Sequence, residues 1–227
     1  NLLKNTVKEE ILIMKDQLNL FKECNAPCMV VAEVSGSIQG KPKMPLSKRP
    51  ILSTEEWKTF YNKISEISKY MEDSGVPLAY HHHMGTVVQS QEDTERLIDN
   101  TSDAVKLLID TGHMMFAGGD FVKIAKDYSA RLHHVHCKDI RKDVLDMAIK
   151  KDLSFIDAFF AGVFTVPGDG FINYKYFLKI LKDLNYEGWL VVEAEQDPKK
   201  ANPFEYGKIG FNHLKKIALD CGFEITR

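Results

Sequence analysis

The sequence predicts an α/β fold in which parallel strands, joined by helical crossovers, curl into a barrel. Three observations lead there. Short apolar runs alternate with longer amphipathic segments along the whole chain. Strands of about seven residues separated by helices of about 12 to 20 imply parallel pairing through right-handed crossovers. No strand-to-helix turn carries a GxGxxG fingerprint, which weakens the alternative of an open dinucleotide-binding sheet. Finally, the last four of five apolar runs each end in His, Asp or Glu, and barrel active sites draw on the C-terminal ends of several strands at once.

Taken in order, LLKNTVKEEILIMKDQLNLFKEC places Val7, Ile11, Met14, Leu18 and Phe21 at helical spacing, and PCMVVAEV then reads as a buried strand near residues 28 to 34. A Pro-, Gly- and Lys-rich loop, SGSIQGKPKMPLSKRP, comes next. Ser53 and Glu56 form a capping box for a helix carrying Trp57, Tyr61, Ile64 and Met71 on one side, with Gly75 and Pro77 as its stop. PLAYHHH is the second strand, near 77 to 83, QEDTERLIDNTS a helix, and VKLLIDT the third strand, near 105 to 111. FVKIAKDYSARL is helical and LHHVHCK is the fourth strand, near 132 to 138. KDVLDMAIKKDLSFIDAFFAG reads as helix or helix plus loop. VPGDG is a turn, with Asp169 a candidate cap for the next helix, INYKYFLKILKDL. GWLVVEA, near 188 to 194, is the fifth strand, and EYGKIGFNHLKKIALDCG closes as a helix. There is no low-complexity tract or linker, so residues 1–227 read as a single domain.

Composition narrows the function. The 227 residues are 44% hydrophobic, enough for a sizeable core, and the formal net charge is -2. Lys and Arg are scattered among acids, leaving no basic field for a phosphate backbone, so nucleic acid is excluded as a partner. Four cysteines (Cys24, Cys28, Cys137, Cys221) are too few for a disulfide framework, and Cys24-x3-Cys28 has no second pair to make a zinc knuckle. Reduced thiols in a cytoplasm are the expectation. No apolar run reaches the roughly 18 residues of a membrane span, and no leader opens the chain, so the expected partners include no membrane.

Strand parity locates a site, since alternate side chains face opposite sides. His81 and His83 share a face and His82 takes the other; His134, His136 and Lys138 share a face, opposite His133, Val135 and Cys137. Val191, Glu193 and Glu195 lie together, and Asp110 falls opposite the apolar pair Leu107 and Ile109. One rim can therefore hold His81, Asp110, His136 and Glu193. Two imidazoles and two carboxylates suit a divalent transition metal such as Mn, Co, Fe or Zn better than calcium. Either His81 or His83 is a ligand in this reading, and His82 is not. Taken singly, a strand-end Asp or His is more often a cap or hydrogen-bonding group than a ligand; the convergence of four is what argues for a site. Cys137 reads as a small buried hydrophobe, and the loop GSIQGKPKMPLSKR as either a solvated connection or a cover over substrate.

The signatures LLIDTGH, LHHVHCKD, VPGDGFINYKYFLKILKDLNYEGW and LVVEAEQDP, with AYHHHMGT before them, resemble the sugar isomerase and epimerase superfamily of xylose-isomerase-like TIM barrels. Within it, SGSIQG, HHHMGT and VVEAEQDP look most like the inosose dehydratases of inositol catabolism. The resemblance runs from about residue 20 to 218. It implies a (β/α)8 TIM barrel. Because the chain opens with Asn, on a helix leading into what the family would count as its fourth strand, about the first three βα units, roughly 75 to 90 residues, are expected upstream.

In that superfamily the metal sits on a Glu, an Asp, a His and a Glu from four successive strands. The last three match Asp110, His136 and Glu193, while His81 stands where the first Glu would be. Either the imidazole of His81 substitutes or one protein ligand is lost. The implied reaction is elimination of water from a keto-inositol to a cyclic diketone, assisted by a divalent ion, Mn2+ or Co2+ first and Zn2+ or Fe2+ as alternatives. Lys138 is expected to act as the base if its pKa is depressed, or to hold an oxyanion if it stays charged. His113 and His83 are candidates for proton transfer, and Glu195, Gln196 and Gln39 for binding substrate hydroxyls. The expected partner is a cyclic polyol or keto-sugar, and a homo-oligomer is compatible with the sequence. Two other classes stay open: an isomerase or epimerase using the same enolate chemistry, and a polyol-binding protein without turnover, to which His81 in place of Glu points.

Overall fold

The structure is a computed structural model, and it describes residues 1–226. Its first helix, α1 (Val7–Glu23), opens on a capping box between Thr6 and Glu9 and leads into β1 (Met29–Val31). A long loop with one 3-10 turn leads to α2 (Thr54–Asp73), which begins on the Ser53–Glu56 capping box that the sequence announces. Next come β2 (Leu78–His81), α3 (Gln91–Asp99), β3 (Val105–Asp110), α4 (Thr111–Phe116), α5 (Phe121–Asp127) and β4 (Leu132–Cys137). A short ribbon, β5 (Asp139–Ile140) with β6 (Phe164–Thr165), encloses α6 (Lys142–Lys150) and α7 (Phe155–Ala161). The chain ends with α8 (Tyr174–Asp183), β7 (Leu190–Val192) and α9 (Pro203–Asp220).

Five strands pair in parallel in the order β1-β2-β3-β4-β7, an arc of barrel with β1 and β7 at its edges among the described residues. The helices cover its outer face. Leu78, Tyr80, Leu107, Ile109, Val135 and Cys137 pack there against Phe60, Ile64 and Met71 of α2, Ile124 of α5, and Phe177, Leu178 and Leu181 of α8. The inner face carries a small layer of Cys28, Ala79 and Leu108. One irregularity matters for the site. Leu107 pairs with Leu132 but Leu108 pairs with His134, so His133 is an extra residue in β4. Such a bulge reverses the facing of the residues beyond it. It turns His134 and His136 to the inner side next to Leu108 and Asp110, while Val135 and Cys137 face the helices.

The predicted elements recur with three differences. The first and last strands are shorter than the apolar runs, and β2 stops at His81 because the backbone turns away there: His83 N–H bonds to Val88 C=O (3.0 Å) and Thr86 N–H returns to His83 C=O (3.3 Å). The sequence also hides α4, β5 and β6, which are too short for periodicity to register. Asp169 is not a helix cap. It accepts from Arg141 Nη2 and Thr165 Oγ1 (both 2.6 Å), and Asn173 caps α8 instead. The loop after β1 is fastened at the C-terminal end of the sheet, where Ile38 N–H bonds to Gly85 C=O (2.9 Å), Leu46 N–H to Leu153 C=O (3.2 Å) and Lys43 N–H to Asp157 Oδ2 (2.9 Å).

Candidate metal centre

Four strand ends deliver four ligand-type atoms to one place. His81 closes β2, Asp110 closes β3 opposite His136 of β4, and Glu193 directly follows β7. One ligand atom from each lies within 4.8 Å of the other three. His81 Nε2 and His136 Nδ1 are each 3.5 Å from Asp110 Oδ2, and His136 Nδ1 is 2.8 Å from Glu193 Oε2. These four atoms are buried, yet none makes a well-formed hydrogen bond among the described residues. Buried polar groups are nearly always satisfied, so four unsatisfied atoms pointing at one another form a group that could hold a cation. The donor set fits a divalent transition ion.

Local structure explains how Asp110 is aimed. Its Oδ1 accepts the His113 N–H (2.8 Å) and so caps α4, which leaves Oδ2 for the cluster. Burial opposes ionisation of Asp110, but the neighbouring Lys138 ammonium outweighs it and holds the carboxyl well below its ordinary range. For His136 burial likewise opposes the charge, and contacts with Asp110 and Glu193 outweigh it, lifting the imidazole to about 9.

Beside this cluster lies a second, formed by His83, His113 and Glu195. Lys138, fully buried, joins the two. Its Nζ is 2.8 Å from Glu195 Oε2, 2.9 Å from His113 Nε2, 3.2 Å from Asp110 Oδ2 and 3.3 Å from Glu193 Oε2. Burial pulls its pKa down, but Asp110, Glu195 and Glu193 push it above the ordinary lysine value, so the side chain is an ammonium. The second cluster therefore already contains its cation. Burial and then the Lys138 charge lower His113 well below the usual imidazole range, leaving it neutral, and Phe155 and Phe164 pack against its ring at centroid distances of 5.8 and 5.2 Å. Burial raises Glu195 but His113 and His83 outweigh it, so this carboxylate stays ionised. His83 Nδ1 lies 2.8 Å from Met84 C=O, so it carries a proton, and Nε2 faces Glu195 Oε1 at 3.6 Å.

Lys138 is itself held through Thr111. The Thr111 hydroxyl accepts the Lys138 N–H (3.1 Å), donates to the Lys138 C=O (2.8 Å) and meets Tyr174 Oη (2.8 Å). A Cβ on Gly112 would stand 2.8 Å from Lys138 Cγ, so only glycine leaves room for the lysine stem.

The eight residues expected in these roles thus meet in two touching clusters, and the two glutamines do not join them. Gln196 Nε2 donates to Thr165 Oγ1 (3.3 Å), and Gln39 sits in the loop after β1 against Gly85. Sequence reasoning misses Asp139, which accepts the N–H groups of Ile140 (2.8 Å), Ile172 (3.0 Å) and Gly168 (3.2 Å) and so pins the VPGDG turn beside Lys138. The tight PGDG glycines are its only signal. His134 meets Cys28 Sγ at 3.7 Å through Nδ1 and stacks edgewise on His136 at 5.4 Å, so it lies directly behind a member of the four-residue cluster.

The comparisons with known proteins bear on the family and the fold. The family model described as xylose isomerase-like TIM barrel matches residues 2–217. The rhizopine catabolism protein MocC of Rhizobium meliloti is 42% identical over 225 residues, covering 99% of this chain and 69% of that protein. An inosose dehydratase of Bacillus anthracis is 48% identical over 183 residues, covering 80% of this chain, and this chain spans 61% of its length. Among solved structures, the IolI protein with a binding zinc atom superposes with a TM-score of 0.64 at 18% identity, over 94% of this chain and 69% of that one. The probable 3-DHS dehydratase AsbF from Bacillus anthracis superposes with a TM-score of 0.69 at 14% identity, over 92% and 70%. At such identities these structures speak for the fold alone. The chain belongs to the xylose isomerase-like TIM barrel family.

Proposed function

We propose that the chain is the ion-binding part of a metal-dependent dehydratase that removes water from a keto-inositol, an inosose, to give a cyclic diketone. The observation that carries the reading is the convergence of the four unsatisfied atoms of His81, Asp110, His136 and Glu193 next to a buried ammonium. Relatives named inosose dehydratase, 45 to 48% identical, direct it to this substrate. His81 is the fourth ligand, standing in for a carboxylate, and the ion is a divalent transition metal with manganese and cobalt the first to test.

A proton beside a carbonyl is too weakly acidic to leave unaided at neutral pH. The bound ion would supply Lewis-acid stabilisation of the carbonyl oxygen. The protein's own groups do the rest. Lys138, being charged, is not the base; it holds the oxygen on which negative charge develops. His83, whose Nδ1–H is held by Met84 C=O and whose Nε2 faces Glu195, accepts the α-proton, with the neutral His113 packed beside it at a ring-centroid distance of 3.8 Å. The same pair returns a proton to the departing β-hydroxyl, so that one proton and one hydroxide leave as water. Phe155 and Phe164 keep water off the imidazoles. Glu195 orients His83, His113 and Lys138.

The test is product analysis with an inosose and the metal-loaded protein. Dehydration lowers product mass by one water and creates ultraviolet absorbance. A product of unchanged mass would establish isomerisation or epimerisation instead, and an unaltered substrate that still binds would leave a polyol-binding protein.

A further inference from the structure

We propose that His82, the middle histidine of HHH, is a positioning residue that sets the metal ligand Asp110 through a backbone hydrogen bond; the proposal rests on the metal reading above. The last residues paired between β2 and β3 are His81 and Leu108. Past them β2 turns out of the sheet, and the Asp110 N–H meets the imidazole of His82 rather than a strand carbonyl, at 3.2 Å from Nε2. The side chain therefore continues the ladder where the backbone has left it. This lets the backbone after His81 turn and carry His83 to the second cluster without leaving the Asp110 N–H unpaired in a buried place.

The two ends of Asp110 are then both tied. Its N–H is held by His82 and its Oδ1 by the His113 N–H (2.8 Å), so Oδ2 has one direction left, toward His81, His136 and Lys138. His82 is fully buried and its ring lies nearly parallel to that of His81, 7° apart at 5.9 Å between centroids. Because Nε2 accepts, the proton of the neutral ring is on Nδ1, which has no hydrogen-bond partner among the described residues. A buried unpaired donor is costly, and an apolar side chain would fill the space without it. An acceptor at imidazole reach is what an apolar side chain cannot provide. Groups that orient metal ligands from behind typically change ion affinity by about 10- to 100-fold when removed.

The test compares ion affinity, by chelator competition, in the parent, His82→Gln and His82→Met. Gln places an acceptor near Nε2, whereas Met fills the volume without one. The expected result is affinity lowered by about 10- to 100-fold in His82→Met and largely kept in His82→Gln. A folded His82→Met that binds the ion as tightly as the parent would overturn the proposal. Should that variant not fold, 15N-labelled parent decides: scalar coupling between the Asp110 amide nitrogen and an unprotonated His82 Nε2 supports it, and a protonated Nε2 without coupling overturns it. A parent that takes up no ion removes the metal reading and with it the purpose given to His82. An ion-binding parent with an indifferent His82→Met removes only the positioning role.

Discussion

Lys138 Nζ stands 2.8 Å from Glu195 Oε2 and 3.2 Å from Asp110 Oδ2, so a single buried ammonium couples the ion cluster to the histidines beside it. Replacing it with methionine keeps the length and removes the charge. Lys138→Met should retain the ion while turnover falls by about 10²- to 10³-fold, the usual loss of one group stabilising a developing oxyanion. Stability should also drop, on the order of 3 kcal/mol in the metal-free protein, because buried carboxylates lose their partner. Steady-state kinetics, metal analysis and urea unfolding read the three effects. A Lys138→Met protein with parental turnover would take the lysine out of the mechanism.

Gly112→Ala puts a methyl 2.8 Å from Lys138 Cγ and 3.0 Å from the Lys138 carbonyl oxygen. The lysine must shift, whereas the four proposed ion ligands need not. The expected signature is a lowered kcat with the ion affinity kept. An equal loss of both would mean that the substitution spreads into Asp110.

Ion binding should be linked to pH through His136. Its pKa in the metal-free fold, about 9, lies above the 6.5 of an unperturbed histidine, so folding favours the protonated form. That contribution to stability is fully present below about pH 6.5 and is lost as pH rises through about 9. An ion needs the neutral imidazole and must displace this proton. Between these pH values affinity should therefore climb with pH, and calorimetry in buffers of different ionisation enthalpy should register close to one proton released per ion. Uptake without proton release would show that His136 is not a ligand.

Asp139→Asn tests the turn beside the site. The carboxylate accepts three backbone N–H groups, and an amide presents its own N–H groups to some of them. A loss of about 1 to 3 kcal/mol is expected in chemical unfolding. An unchanged midpoint would mean that the VPGDG turn is held by Arg141, Asp169 and Thr165 instead.

Much of this architecture is legible because polar residues interrupt apolar runs at four successive strand ends, a convergence that capping of single helices does not require. Alternation is enough to group His81 with His83 and His136 with Lys138. For β4 it yields the correct faces although the strand begins out of phase: the bulge at His133 lies upstream of the site residues and leaves their mutual parity intact. What periodicity cannot register is anything two residues long, such as β5 and β6, or a helix of one or two turns such as α4. The state of Lys138 is also out of its reach, because it depends on three carboxylates from two other strands and the sign of the shift follows from their distances. Alternation places His82 on the opposite face and gives it no task. Its partner is a backbone N–H 28 residues away, which no side-chain pattern encodes.

Everything proposed for the site depends on His81, Asp110, His136 and Glu193 holding one divalent ion. Elemental analysis of the purified protein beside His81→Ala and Glu193→Ala is the decisive measurement. Close to one transition-metal ion per chain is expected in the parent, and its loss in both variants while they remain folded. A folded parent with no ion, or variants that retain it in full, would contradict the assignment.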